Sequence, residues 1–457
     1  MNIIEKAERI HLIGIGGIGM SGLAKLLIEK KKKISGSDKE YTPIIKKLER
    51  KGVKIFIGQK EENITPDIQL VIYSHAILPD NPEYRKAVSL KIPLLSYPEA
   101  LGLFTREKRT IAVSGTHGKT TVSSLIVSIL SEAKMSPSFV IGGEIIGKGN
   151  SQTGKGEFLV IEACEYKKSF LNYLPEIGVI NTIEEDHLDF YKNLKEIKEA
   201  FCNFCKNVKR FIVGWEEDRN VMDVIKKSRK ENITFGIEKG DVRAEKINFF
   251  KNKTTFECIY LGKSLGKVSL KINGYHNILN SLSAISVGLG LDIPWKFIKN
   301  GIERFKGVHR RCEIVGKVNG ITIIDDYGHH PTEIKCTLSA LRNIYPENRI
   351  IVVFQPHQYS RTRFLLEDFA SSFRDADKVI VPDIYFVRDS LKEKKLVNAE
   401  ILVDRIRKNG KEALYLPTFK EIIFYLKEIV KKGDVVLTIG AGPVYKVAYG
   451  LLKILEK

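Results

Sequence analysis

Short apolar runs recur along the chain, each ending in glycine or polar residues and most followed by a stretch of helical periodicity. Ile10-His-Leu-Ile runs into Gly14, with a helix over Leu23 to Lys30; a second run ends at Ser35-Gly36-Ser37-Asp38, and Leu70-Val-Ile-Tyr closes on Ser74-His75. The pattern restarts at Thr110-Ile-Ala-Val-Ser, with a helix over Val122 to Ala133, and returns in Phe158-Leu-Val-Ile-Glu162 and Ile177-Gly-Val-Ile. It restarts again with Ile321-Thr-Ile-Ile, Val352-Val-Phe and Val435-Val-Leu-Thr-Ile. Runs this uniformly apolar suit strands covered on both faces, and strands alternating with helices build parallel sheets. The expectation is an α/β chain of three domains, 1–104, 105–308 and 309–457, which agrees with a length of 457 residues.

Composition changes this picture little. Hydrophobic residues make up 43% and charged residues 28%, a globular balance. A net charge of +19 invites a nucleic-acid reading, but the lysine-rich stretches are scattered, mixed with Glu and not interleaved with aromatics. They read as solvated surface, so no nucleic-acid partner is expected. Six dispersed cysteines do not make a disulfide scaffold, and Cys202-Asn-Phe-Cys205 lacks a second pair at zinc spacing. A reducing cytoplasm fits. The N-terminus mixes Glu5 and Glu8 with Lys6 and Arg9 and does not read as a signal peptide, and the uncharged stretch Gly274 to Leu291 holds too many polar residues to span a membrane. No membrane attachment is expected.

The run ends carry the chemistry. Gly14-Ile-Gly16-Gly17-Ile-Gly19-Met20-Ser-Gly22 joins a strand to a helix, the arrangement in which a backbone approaches a diphosphate, and Asp38 falls where dinucleotide folds bind a ribose. A ligand-free tight turn is the bland alternative. Ser114-Gly115-Thr116-His117-Gly118-Lys119-Thr120-Thr121 likewise joins strand to helix. Backbone N–H groups would cradle phosphates, Lys119 would neutralise them and the Thr120 hydroxyl would ligate a divalent cation. Val113 stands where the standard phosphate loop has glycine, so the loop is a shortened variant. Glu162 and Glu165 end one later strand; Asn181, Asp186, His187 and Asp189 follow another, a donor set suited to a cation bridging phosphates. Asn277 and Asn280 share one helical face, as adenine contacts or as helix caps. Of nine histidines, all but His11 lie in these strand-end motifs or in their C-terminal counterparts.

Those counterparts are Gly307-Val-His-Arg310-Arg311-Cys-Glu313, Asp325-Asp326-Tyr327-Gly328-His329-His330-Pro-Thr-Glu333 and Gln355-Pro-His357-Gln358-Tyr-Ser-Arg361. With the two glycine motifs, and in this order over essentially the whole chain, they resemble the Mur ligase family. The closest branch attaches L-alanine to UDP-N-acetylmuramate in peptidoglycan precursor synthesis. The resemblance implies Rossmann-like N- and C-terminal domains around a central ATPase domain, and it makes the short phosphate loop the family's usual form. It also implies an acyl-phosphate reaction using ATP and Mg²⁺, with Mn²⁺ as the alternative, in a monomer or weak homodimer.

By the same resemblance, Gly14, Gly16, Gly17, Gly19, Met20, Asp38, Ser74 and His75 bind the UDP-sugar. Gly115, Thr116, His117, Gly118, Lys119, Thr120, Thr121, Asn277, Asn280 and Arg310 bind ATP, with Thr120, Glu165 and His187 on the metal. Tyr327, His329 and Arg361 hold the amino acid, and the catalytic set is Lys119, Glu165, His187, Arg310, Asp326 and His329. Tyr166 and Gln358 depart from the Ser and Arg of many members, leaving Arg361 more of the carboxylate-binding role. The rival within the family, a recycling ligase that adds a preformed peptide, lacks the Tyr-Gly pair before the double histidine. A nicotinamide oxidoreductase would leave Gly115 to Thr121 unexplained, and a non-catalytic regulator would not need Lys119, Glu165 and His187 together.

Overall fold

The computed structural model describes residues 2–251, 253–387 and 389–456. Its strands form three sheets. The first contains β1 (Arg9–Ile13), β2 (Lys33–Asp38), β3 (Lys54–Ile57), β4 (Leu70–Tyr73) and β5 (Leu94–Ser96) in the order β3-β2-β1-β4-β5. All its pairings are parallel. The order reverses between β1 and β4, and the carboxyl ends of those strands open a crevice of the kind in which Rossmann-like sheets bind ligands.

The central sheet contains β6 (Arg109–Ser114), β7 (Ser138–Ile145), β8 (Gly149–Gln152), β9 (Phe158–Glu162), β10 (Ile177–Ile180), β11 (Phe211–Trp215) and β12 (Glu231–Gly236). It continues into β13 (Val242–Phe250), β14 (Lys253–Tyr260) and β15 (Lys263–Leu270), which pair antiparallel with one another. This meander was not expected from the sequence. The helix Lys119–Glu132 has ten buried residues because it is covered by the sheet and by the helices Tyr275–Gly290 and Trp295–Arg304. Gly301 permits the last contact: a Cβ there would lie 2.6 Å from Ile129 Cα.

The third sheet holds β16 (Glu313–Val318), β17 (Ile321–Asp326), β18 (Ile350–Phe354), β19 (Lys378–Val381), β20 (Glu412–Tyr415) and β21 (Val435–Ile439), in the order β16-β17-β21-β18-β19-β20. Every residue of β18 and β21 is buried, as uniformly apolar runs require. Only β16 runs antiparallel, against β17. Cys202 and Cys205 lie within the single helix Leu194–Asn207 with free thiols. The expected division at 104/105 falls in the last turn of the helix Tyr97–Thr105, and that at 308/309 just precedes β16.

Candidate functional site

At the N-terminal crevice the chain leaves β1 through Gly14 with φ 81°, a conformation that favours glycine. Gly16 N–H donates to Asp38 Oδ2 at 2.8 Å, and Lys39 N–H donates to Oδ1 at 2.7 Å, so Asp38 pins the turn from the end of β2. Ser74 and His75 leave β4 alongside, Ser74 N–H donating to Ile13 O. Gly17 caps the helix, and Gly19 faces the Tyr97 ring. Met20 is placed otherwise than expected. The helix begins at Ile18, earlier than the periodicity predicts, which puts Met20 on the inner face with Leu23, Ala24 and Leu27; at 3% exposure its side chain belongs to the core.

In the phosphate loop Gly115 has φ 119° and Gly118 φ 79°, and the helix starts at Lys119. Thr116 N–H donates to Thr182 O and His117 N–H to Thr182 Oγ1, fastening the loop to the segment after β10. Lys119 Nζ reaches back to the carbonyls of Gly115 and Thr116 and lies 3.2 Å from Glu165 Oε2. Burial disfavours its charge, but the Glu165 carboxylate prevails and raises its pKa. His187 Nε2 stands 3.8 Å from Glu165 Oε1, and Thr120 follows Lys119 in the helix. Carboxylate, imidazole and hydroxyl donors around a phosphate loop fit Mg²⁺ or Mn²⁺.

A cavity of about 200 Å³ opens between the central and C-terminal domains, lined by His117, Gly118, Thr121, Asn277, Asn280 and Asp326 among others. The capping alternative for the two asparagines does not hold. Gly274 is the N-cap of their helix, and Asn280 Nδ2 donates to Asn277 Oδ1 at 3.2 Å while Asn277 Nδ2 donates to Asn273 O. Trp215 and Phe235, at the carboxyl ends of β11 and β12, add aromatic walls that the sequence reading missed. Their only signal was an aromatic residue closing or nearly closing a short apolar stretch, Phe211-Ile-Val-Gly-Trp215 and Ile233-Thr-Phe235.

The arginine pair separates. Arg310, expected at the γ-phosphate, turns into the C-terminal domain. It donates to Asp325 Oδ2 at 2.9 Å and to the carbonyls of Gly440 and Gly442, and it stacks on Tyr327 and Tyr445. Arg311 lines the cavity instead, 3.7 Å from Glu333. The positive φ of Arg310 and of Cys312, 61° and 50°, sends these neighbours in different directions.

Side-chain contacts join the domains across this cleft. Thr332 Oγ1 donates to Glu184 Oε2 at 2.8 Å, His117 lies between Glu184 and Glu333 at 3.3 and 3.4 Å, and Arg361 pairs with Asp186 at 2.9 Å. Burial disfavours a charged His117, yet the two carboxylates raise its pKa to about 9. The ligand atoms of His117, Glu184 and His330 also lie within 4.8 Å of one another. Burial pushes Asp326 up to about 6 and, against the pull of Glu333, His329 down to about 4. The His329 ring packs against Tyr327 and His357, bringing the expected amino-acid residues together beside Arg361.

A phosphate loop facing an acid and an imidazole, beneath a domain that supplies cations and histidines, defines a nucleotide-dependent α/β protein of three domains. Family models match all three: "Mur ligase family, catalytic domain" over residues 9–109, "Mur ligase middle domain" over 113–288 and "Mur ligase, glutamate ligase domain" over 310–442. The chain belongs to the Mur ligase family. It is 47% identical to the UDP-N-acetylmuramate--L-alanine ligase of Caldanaerobacter subterraneus subsp. tengcongensis, covering 98% of each chain. Identity to the enzyme of that name from Clostridium tetani is 44%, over 99% of each. The crystal structure of UDP-N-acetylmuramate-alanine ligase from Thermotoga maritima superposes with a TM-score of 0.84 at 29% identity, over 98% of this chain and 99% of that one.

Proposed function

We propose that this chain joins L-alanine to UDP-N-acetylmuramate, with ATP phosphorylating the muramoyl carboxylate and the amine of alanine displacing phosphate from the acyl phosphate. The products are the amide, ADP and inorganic phosphate. The observation that carries the reading is that the phosphate loop meets the histidine motif across one cleft through His117 and Glu333, while Arg361 pairs with Asp186 beside His187. Near-full-length relatives named for alanine addition, and Tyr327-Gly328 ahead of His329-His330, favour a single amino acid over a preformed peptide.

In the first step two anions must meet, so cations determine the barrier. Lys119 and the loop N–H groups hold the β- and γ-phosphates. Arg311, not Arg310, supplies the guanidinium at the transferred phosphoryl group. Glu165, His187 and Thr120 would hold Mg²⁺ or Mn²⁺, which supplies charge neutralisation between nucleotide and carboxylate. Asn277 and Asn280 read the adenine edge, with Trp215 and Phe235 as apolar walls. Asp326, buried at the cleft, holds Gly328 N–H and Cys312 N–H and so positions the amino-acid motif. Gly14, Gly16, Gly17, Gly19, Ser74 and His75 bind the UDP moiety, Asp38 acting through the turn. The domains at 1–104, 105–308 and 309–457 divide these tasks, in a cytoplasmic enzyme that is a monomer or weak homodimer.

The test is phosphate release from ATP by purified protein with UDP-N-acetylmuramate and, in turn, L-alanine, glycine, L-serine or a tripeptide. Release that depends on alanine and is fastest with it is expected. Release driven by the tripeptide and not by alanine would replace this reading with the recycling one.

A further inference from the structure

Beside the phosphate loop, a second, small cavity of about 10 Å³, closed down by the side chains that line it, lies between the loop after β10 and the helix Tyr359–Phe364, lined by Asp186, His187, Gln358, Ser360, Arg361 and Phe364 among others. Its walls carry opposite charges from different domains. Arg361 directs two nitrogens at a single oxygen of Asp186: Nη2 donates to Oδ1 at 2.9 Å and Nε to the same atom at 3.3 Å. His187 N–H also donates to Oδ1, at 2.7 Å, whereas Oδ2 faces the His187 ring at 3.7 Å. Both side chains are nearly buried, at 8% and 12% exposure. The neighbouring acid Asp189 is otherwise engaged, accepting from Tyr166 Oη at 3.1 Å.

A guanidinium fork is best matched by both oxygens of one carboxylate, which the end-on pairing with Asp186 does not provide. A substrate carboxylate would make that match and free Oδ1 of Asp186. In a nearly buried site the released charge needs a new partner. An amino acid brings one of its own, since its ammonium lies one carbon from its carboxylate. A zwitterion therefore replaces one internal ion pair with two and adds no net charge, whereas a simple carboxylate leaves Asp186 unpaired and a simple amine leaves Arg361 unpaired.

We propose that Asp186 is the receptor for the α-ammonium of the amino-acid substrate and forms with Arg361 a charge pair that selects a zwitterion. The inference rests on the ligase reading above. It makes Asp186 a specificity residue, where the sequence offered it only as one of the candidate cation donors, and gives the Arg361–Asp186 contact a role as placeholder for the substrate.

The experiment uses the full chain with ATP, Mg²⁺ and UDP-N-acetylmuramate, and reads the KM for L-alanine together with competitive inhibition by propionate, which lacks the ammonium. In Asp186→Asn the KM for alanine is expected to rise by about 10- to 100-fold, the scale of a lost charged hydrogen bond. Inhibition by propionate should hold or strengthen, and the KM values for ATP and the UDP-sugar should stay within about twofold, well inside that scale. Equal weakening of alanine and propionate would mean that Asp186 merely orients Arg361, and would overturn the proposal; so would an unchanged KM for alanine. If Asp186→Asn does not fold, Asp186→Glu carries the test. It keeps the charge and must retain the preference for alanine over propionate even as KM rises, and loss of that preference would overturn the proposal. Absence of alanine-dependent release from the wild-type chain would instead defeat the ligase reading, and is seen before any substitution is made.

Discussion

The two clefts of this molecule are built on different plans. The N-terminal crevice has its glycine turn, Asp38, Ser74 and His75 at the strand ends of one sheet, fixed by backbone N–H groups that donate to the Asp38 carboxylate (Gly16) and to the Ile13 carbonyl (Ser74). The cleft between the central and C-terminal domains is held by side chains that each domain lends the other: Glu184 with Thr332, His117 with Glu333, Asp186 with Arg361. A site of the first kind exists whenever its domain is folded. One of the second kind exists only when two domains meet, so its chemistry is coupled to closure.

The sharpest way to break this comparison is Lys119→Ala. Removing the charge beside Glu165 should lower kcat by about 10²–10³-fold or more while leaving UDP-sugar binding intact. Steady-state kinetics and calorimetric titration with UDP-N-acetylmuramate check both halves, and loss of sugar binding in a folded variant would show that the clefts are not independent. Next comes the arginine pair. Arg311→Met should cut kcat by about 10–100-fold with thermal stability little changed, because it acts in the cleft. Arg310→Met leaves Asp325 buried without its partner and should cost about 3–5 kcal/mol, read as a lowered denaturation midpoint.

The smallest effect concerns pH. His117 has its pKa raised from 6.5 to about 9 when Glu333 and Glu184 flank it. A raised folded-state pKa gives stabilisation that is complete below about 6.5 and is lost as pH climbs through about 9. Alkaline solution should therefore loosen the cleft without touching the N-terminal crevice. Glu333→Gln should move that loosening to lower pH, as followed by small-angle scattering or by the pH dependence of the KM for ATP.

The parallel sheets were legible because strands buried on both faces are written as apolar runs, as in Ile350–Phe354 and Val435–Ile439. The antiparallel meander of β13 to β15 was not. Its outer strands are only partly buried and carry lysine and glutamate outward, so they form no uniformly apolar run. The phosphate loop and its acids announced themselves through residue types that strand ends do not otherwise need. The placements of Arg310 and Arg311 could not be separated by sequence, since two adjacent arginines look alike until backbone angles send one into the C-terminal domain and the other to the cavity. The burial of Met20 was not legible for a related reason: whether a side chain in a glycine turn faces the crevice or the core depends on the residue at which the helix begins. Trp215 and Phe235 passed for ordinary core aromatics.

Asn280 and Gly118 give the nucleotide cavity a fixed length. A Cβ at residue 118 would lie 2.4 Å from Asn280 Oδ1, so the amide beneath the expected base rests directly on the loop beneath the expected phosphates. The two grips behave as the ends of a gauge block, with no slack between them. If Asn280 contacts adenine as proposed, a side chain added at residue 118 would press on that amide, so Gly118→Ala should weaken ATP binding.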